Sequence, residues 1–163
     1  MCQEQNHPIV IGDAGVSQLI ERANPQDEGL IKELLAAYDL PYQDLTATLI
    51  ENFLVLRNEG NLVGCAGLEF YGDAALLRSV ALRQSFRNKG LGARLLSEIE
   101  RAAYGRRVRT LYLLTTTANG FFTRHGYETV DRSSAPEAIR NSQEFQSLCP
   151  STAVCMFKRL SFT

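Results

Sequence analysis

Ala75–Tyr104 reads ALLRSVALRQSFRNKGLGARLLSEIERAAY. Leu76, Leu77, Val80 and Leu82 make an apolar strand, and Arg87-Asn88-Lys89-Gly90-Leu91-Gly92 a short basic turn. Leu91, Leu95, Leu96, Ile99, Ala102 and Ala103 then recur at helical spacing, with Arg94, Glu98 and Arg101 on the opposite side. A helix begins with unpaired backbone N–H groups and the positive end of its dipole. Glycines let the backbone approach an anion there, and Arg87 and Lys89 add charge, so the turn is suited to a phosphate.

Better-known phosphate motifs do not fit. The dinucleotide fingerprint needs a third glycine where Leu95 stands, and the P-loop needs Gly-Lys-Ser/Thr, whereas Lys89 precedes Gly90. What remains is Arg87-x-x-Gly90-x-Gly92 between a strand and a helix. A strand–helix connection that is merely basic would give the same local pattern.

Working outward, 163 residues suffice for one domain with a core of its own. The net charge is -1 with both signs mixed, and Arg106, Arg107 and Arg109 read as a solvated turn, so nucleic acid is not an expected partner. No apolar run has the length of a membrane span, and Met1–Pro8 lacks the regions of a signal peptide. A cytoplasmic location is expected. Cys2, Cys65, Cys149 and Cys155 show no metal-ligand spacing, and His7 and His125 are the only histidines, so no metal site is expected.

Residues 1–15 read as a loose lead-in to a single domain over 16–163. Val16–Ala23 reads as a strand, and Asn24-Pro25 as the start of a helix to Tyr38. Pro41 breaks it, and a second helical stretch covers Tyr42–Ile50. Phe53–Leu56 and Leu62–Phe70 form a hairpin leading into the central strand and helix, which Gly105 caps. Strand Thr110–Thr115, helix Ala118–His125 and strand Glu128–Val130 follow. Ser134–Glu137 reads as a capping box opening a further helix, and Val154–Leu160 as the last strand. This order predicts an α+β fold whose mixed, largely antiparallel sheet carries helices on both faces.

The element order and the Arg87–Gly92 turn together resemble the GNAT N-acetyltransferases. Phe121-Phe122-Thr123-Arg124-His125-Gly126-Tyr127 is similar to that family's aromatic-rich segment. Leu113–Ala118 with Phe121-Phe122 and Ser147–Pro150 is similar to members associated with arsenic resistance. The resemblance implies acetyl-CoA as co-substrate and transfer of acetyl to an amine. It implies that Arg87, Asn88, Lys89, Gly90, Leu91, Gly92, Ala93 and Arg94 hold the pyrophosphate. It also implies that backbone of Val80, Ala81 or Leu82 serves the pantetheine and the oxyanion, and that Phe122 lies by the thioester. Many members carry there a Tyr that protonates the departing thiolate; Phe122 cannot do so, and Thr115 and Thr117 are alternative hydroxyls. Glu69 is the candidate base, against an ordinary strand carboxylate. Arg78 is the candidate clamp for a substrate carboxylate, or simply a partner of Glu69. Tyr38 and Tyr42 read as core or lid residues, and His125 as a surface or capping residue. The acceptor expected is a small-molecule amine, an amino-acid-like toxin among the options. A non-catalytic acyl-CoA-binding regulatory module and a protein acetyltransferase are the alternatives. A homodimer through the last strand is conceivable, because strand edges pair.

Overall fold

The computed structural model describes residues 9–11 and 18–162, and the chain divides into two compact units. The first comprises Met1–Gly67 and Ser79–Ile99, and the second Leu68–Arg78 and Glu100–Thr163. No helix among the described residues is long and apolar enough to cross a membrane.

In the first unit, β1 (Ile9–Ile11), β2 (Gln18–Arg22), β3 (Phe53–Asn58) and the start of β4 (Asn61–Tyr71) pair antiparallel in sequence order. Within the expected lead-in, Ile9–Ile11 is therefore a strand, opposite Gln18–Ile20. Residues 1–8 and 12–17 lie outside the described ones, including the start of the expected Val16–Ala23 strand. The β3–β4 turn is Glu59-Gly60, both at positive φ (51° and 84°), the two-residue geometry that matches strand twist. Phe53 pairs with Gly67, and its ring occupies the place a side chain at 67 would need.

The expected helix start at Asn24 is present. The Asn24 side chain accepts from Gln26 N–H at 2.9 Å and Asp27 accepts from Asn24 N–H at 2.9 Å, a reciprocal cap ahead of α1 (Glu28–Ala37). Arg57 fixes this cap to the sheet, donating to Asp27 at 2.7 Å and Glu21 at 2.5 Å. The expected helix over Tyr42–Ile50 is shorter: α2 runs Ala47–Ile50. Thr46 starts it, its Oγ1 accepting from Leu49 N–H at 3.2 Å, while Tyr42–Leu45 forms a turn. Ile31, Leu34, Leu35, Ile50, Phe53, Val55 and Cys65 form the core of this unit.

In the second unit, β5 (Ala74–Leu82) enters parallel to β6 (Thr110–Thr115), Ala74–Leu76 against Thr110–Tyr112. β8 (Val154–Arg159) lies antiparallel between β6 and β7 (Glu128–Val130). Helix α3 (Leu91–Gly105) ends here, and its cap corrects the expectation. Arg107, at φ 70°, is the left-handed residue, and its N–H bonds Tyr104 while that of Val108 bonds Ala103. This double closure places Val108 in the core, two residues beyond the position Gly105 could have capped.

After α4 (Asn119–Arg124), the expected capping box is absent. Ser134 Oγ donates to the Asp131 carbonyl at 2.7 Å, and α5 (Glu137–Arg140) starts behind Pro136 with no side-chain cap. A π-helical turn, Glu144–Leu148, comes next. Ala74, Leu76, Ala135, Ile139, Phe145 and Cys155 cluster in this unit's core.

Candidate functional site

The segment expected to hold the cofactor, residues 80–94, lies in the first unit, whereas Phe122 lies in the second. Ser79 interrupts β5 at φ 57°, 7% exposed, and its carbonyl accepts from the Cys65 thiol at 3.2 Å. A non-glycine residue in this region costs roughly 1–2 kcal/mol, and such strain within a strand re-aims the residues beyond it. Those residues are Val80–Leu82, the backbone expected to meet the thioester arm. Arg83 N–H returns to Val63 at 2.8 Å, and a single turn, Gln84–Phe86, carries the chain to Arg87.

Asn88 at φ 63° and Gly90 at φ 79° then bend the loop, left-handed positions of the kind that occur in anion-binding backbone nests. The Gly90 carbonyl accepts from Arg94 N–H at 3.1 Å, which begins α3. Leu91, Leu95 and Leu96 are buried while Arg87, Asn88, Lys89, Gly90 and Arg94 are exposed, so the apolar face anchors a basic, open helix start. The loop is braced from α1's end. Tyr38 OH accepts from Gln84 N–H at 2.9 Å, and the Arg87 guanidinium lies 4.7 Å above the Tyr38 ring. Arg87 Nε donates to the Leu82 carbonyl at 2.9 Å, so Arg87 shapes the loop as well as charging it.

The second unit holds a buried ion cluster. The Arg78 side chain is 0% exposed; Nη1 donates to Glu69 at 2.6 Å, and Nε faces Glu144 at 3.5 Å. Tyr71 OH donates to the other Glu69 oxygen at 2.6 Å. Neither Glu69 nor Arg78 points into bulk solvent, and the structure joins them to each other. Cys149 borders the cluster: burial first, then the Glu144 charge, pushes its thiol up to about 12. Phe122, on α4, is 5% exposed and packs edge-on between Phe121 (5.2 Å) and Tyr127 (5.4 Å). His125 ends α4 and lies 4.7 Å from the Phe121 ring.

The sequence profile of the acetyltransferase (GNAT) domain matches residues 50–129, the span carrying the strained strand, the braced loop and the aromatic helix. The chain has the GNAT fold, and its residues 50–129 match the acetyltransferase domain of that family. It is similar to N-acetylglutamate synthase from Neisseria gonorrhoeae, solved with coenzyme A and N-acetyl-glutamate, at a TM-score of 0.77 and 25% identity over 93% of this chain and 36% of that one. An uncharacterized N-acetyltransferase of Chlorobaculum tepidum is 34% identical over 55% of this chain and 58% of its own length. The amino-acid acetyltransferase of Pseudomonas aeruginosa is 35% identical over 60% of this chain, a match that takes in 24% of that protein. The GNAT fold expected from the sequence, a mixed and mostly antiparallel sheet with helices, is the fold observed.

Several parts of the candidate site had no signal in sequence. Ser79 sits in an apolar strand where nothing forecasts a left-handed residue. Tyr38 reads as core, yet it props the basic loop 46 residues away. Glu144 is one charge in a polar stretch, and only the fold brings it to Arg78.

Proposed function

We propose that this chain is an acetyl-CoA-dependent N-acyltransferase that acetylates the amine of a small, amino-acid-like molecule. The observation that carries this is the braced loop, in which Asn88 and Gly90 take left-handed backbone at an exposed basic helix start. In this reading Arg87–Arg94 take the pyrophosphate. The acceptor nitrogen attacks the thioester carbonyl carbon, and a backbone N–H from Val80, Ala81 or Leu82 stabilises the oxyanion. The carbon–sulfur bond then breaks, coenzyme A leaves as thiolate, and the amine's proton passes to Glu69 directly or through water. Arg78 and Tyr71 hold the Glu69 carboxylate in one orientation. The named activities of the amino-acid acetyltransferases support an amino-acid-like acceptor. The likeness of Leu113–Ala118, Phe121-Phe122 and Ser147–Pro150 to arsenic-resistance members is an association by pattern and names no substrate; an amino-acid-like toxin is one option for the acceptor.

The test is free-thiol release from acetyl-CoA across a panel of amines, with amino acids beside polyamines and peptides. Release with small amino acids and none with peptides is the expected result. A second reading, a non-catalytic acyl-CoA-binding module, is favoured by one observation, the core-packed Phe122 where many members carry a catalytic hydroxyl. Tight acetyl-CoA binding with no turnover on any amine decides for it.

A further inference from the structure

The end of α1 is closed by two backbone bonds. Asp39, at φ 56°, donates its N–H to the Ala36 carbonyl at 3.3 Å, and Leu40 donates to that of Leu35 at 2.9 Å, the double closure of a Schellman motif. Tyr38, the residue before the left-handed one, is half-buried and packs with Leu40 against the core of the first unit. Helix and core therefore fix where Tyr38 stands.

From that fixed point Tyr38 makes two contacts with the segment that follows β5. Its hydroxyl oxygen accepts from Gln84 N–H at 2.9 Å, which holds the first residue of the single turn Gln84–Phe86. Its ring lies 4.7 Å from the guanidinium carbon of Arg87, the residue that leaves that turn. Arg87 Nε donates to the Leu82 carbonyl at 2.9 Å, so the guanidinium has its face on the ring and one donor on the strand. Tyr38, Leu82, Gln84 and Arg87 all belong to the first unit. A tyrosine serving the core alone would use its ring there and give its hydroxyl to water. Here the hydroxyl and the ring both act on an exposed loop. Holding such a loop in its bound shape before the ligand arrives raises affinity, because apparent affinity scales with the population of the competent shape.

We propose that Tyr38 is a positioning residue for acetyl-CoA. Acting through Gln84 and Arg87, it holds the loop in the arrangement that receives the pyrophosphate, and it serves that part of the cofactor and not the pantetheine arm. The proposal rests on the reading of Arg87–Arg94 as the pyrophosphate loop and deepens it.

The experiment uses the full chain and two probes. Coenzyme A is titrated by calorimetry, and pantetheine, which lacks the nucleotide and the diphosphate, by ligand-observed NMR. Tyr38→Phe removes one hydrogen bond and should weaken coenzyme A binding about 2–10-fold. Tyr38→Leu also removes the platform under Arg87, so its loss should reach about 5–50-fold. Tyr38→Phe thus restores part of what Tyr38→Leu loses. Pantetheine affinity should be the same in all three proteins, which a general loosening of the core would not spare. Unchanged coenzyme A affinity in Tyr38→Leu, or equal losses on both probes, overturns the proposal.

A double-variant cycle tests the brace itself. Arg87→Lys keeps the charge but lacks the planar group that lies on the ring and bonds Leu82. If ring and guanidinium act as one brace, Tyr38→Leu/Arg87→Lys should lose less than the product of the two single losses. A full product means that the two side chains act separately, and the proposal fails. Failure of the cofactor reading looks different: wild type itself then binds coenzyme A no more tightly than pantetheine, and the proposal falls with it.

Discussion

Arg78→Met removes the centre of the buried ion cluster while keeping most of the side chain's length. In the native fold the Arg78 side chain is 0% exposed and holds Glu69 and Glu144, whose side chains are 11% and 4% exposed. Methionine occupies the stem's space, so no large cavity opens; the damage is electrostatic. Two carboxylates are left with little water and without their shared cation. Breaking a buried pair in this way typically costs about 3–5 kcal/mol. For a chain of this size each kcal/mol moves Tm by roughly 2–4 °C, so a fall of about 6–20 °C is expected. Thermal unfolding followed by circular dichroism measures it directly. Arg78→Met/Glu144→Gln supplies the control, since it removes one of the stranded charges and should recover at least about 1 kcal/mol over the single variant. A loss under about 1 kcal/mol in Arg78→Met, or a double variant no more stable than the single one, refutes this electrostatic role. Kinetically, Glu69→Gln should lower turnover far more than it changes acetyl-CoA affinity, because Glu69 is assigned to the proton and not to the cofactor.

Gly90→Val places a branched residue at φ 79° where nothing lies within 4 Å of the new Cβ, so the fold should tolerate it. Acetyl-CoA affinity by calorimetry should nevertheless drop about tenfold from the roughly 1–2 kcal/mol needed to hold the loop, and unchanged affinity counts against this loop as the cofactor site. Gly67→Ala collides with the Phe53 ring and should cost about 1–3 kcal/mol in urea unfolding; a neutral result means that the ring moves freely. The Cys149 and Cys155 thiols are pushed up to about 12 and about 11, chiefly by burial. Their folded-state values lie above the ordinary 9, so the stability they contribute is complete below pH 9 and is lost as pH rises towards 11 and 12. Urea midpoints from pH 8 upward should decline less steeply in Cys149→Ala, and identical slopes would remove Cys149 from the account. Phe122→Tyr should raise turnover slightly or leave it unchanged, and a fall beyond about tenfold means that the added hydroxyl disrupts packing.

The features legible in the sequence are the local ones. The Asn24-Pro25 helix start, the β3–β4 hairpin with its turn residues and the apolar face of α3 depend on residues close together in sequence, and all appear as read. The errors share a cause. Gly105 and Ser134 carry the right chemistry for a cap, but Val108 and Pro136 decide where the chain closes. Tyr42–Ile50 has helical composition, yet Thr46 accepts from Leu49 N–H and moves the start to Ala47, five residues on. In the candidate site the loop was readable because glycines and cations stand together in sequence. The Arg78 cluster was half readable: Glu69 and Arg78 are charges in apolar strands, whereas Glu144 comes from a region of irregular turns with no periodicity.

The aromatic helix shows how far a motif can be followed once its environment is visible. Phe122 is not an exposed ring lacking a hydroxyl; it is core, wedged between Phe121 and Tyr127. The nearest phenol in this segment is Tyr127, 2% exposed, and it donates to Glu100 at 2.8 Å. Glu100 is bound in turn by Lys158 at 3.0 Å, and Lys158 donates to the His125 carbonyl at 2.9 Å. Burial, then the Glu100 charge, raises the Tyr127 pKa well above that of an ordinary phenol. A proton already committed to a carboxylate and shielded from solvent cannot be delivered to a leaving thiolate without breaking the Lys158–Glu100 network. Tyr127 therefore closes α4 onto β8 and does not replace the missing acid. Free thiols titrate near 8.5, so a thiolate is a tolerable leaving group in mildly alkaline water. A transferase on this scaffold can thus dispense with the acid, and its rate would then show the rise with pH as the amine becomes neutral but no fall from deprotonation of an acid at higher pH.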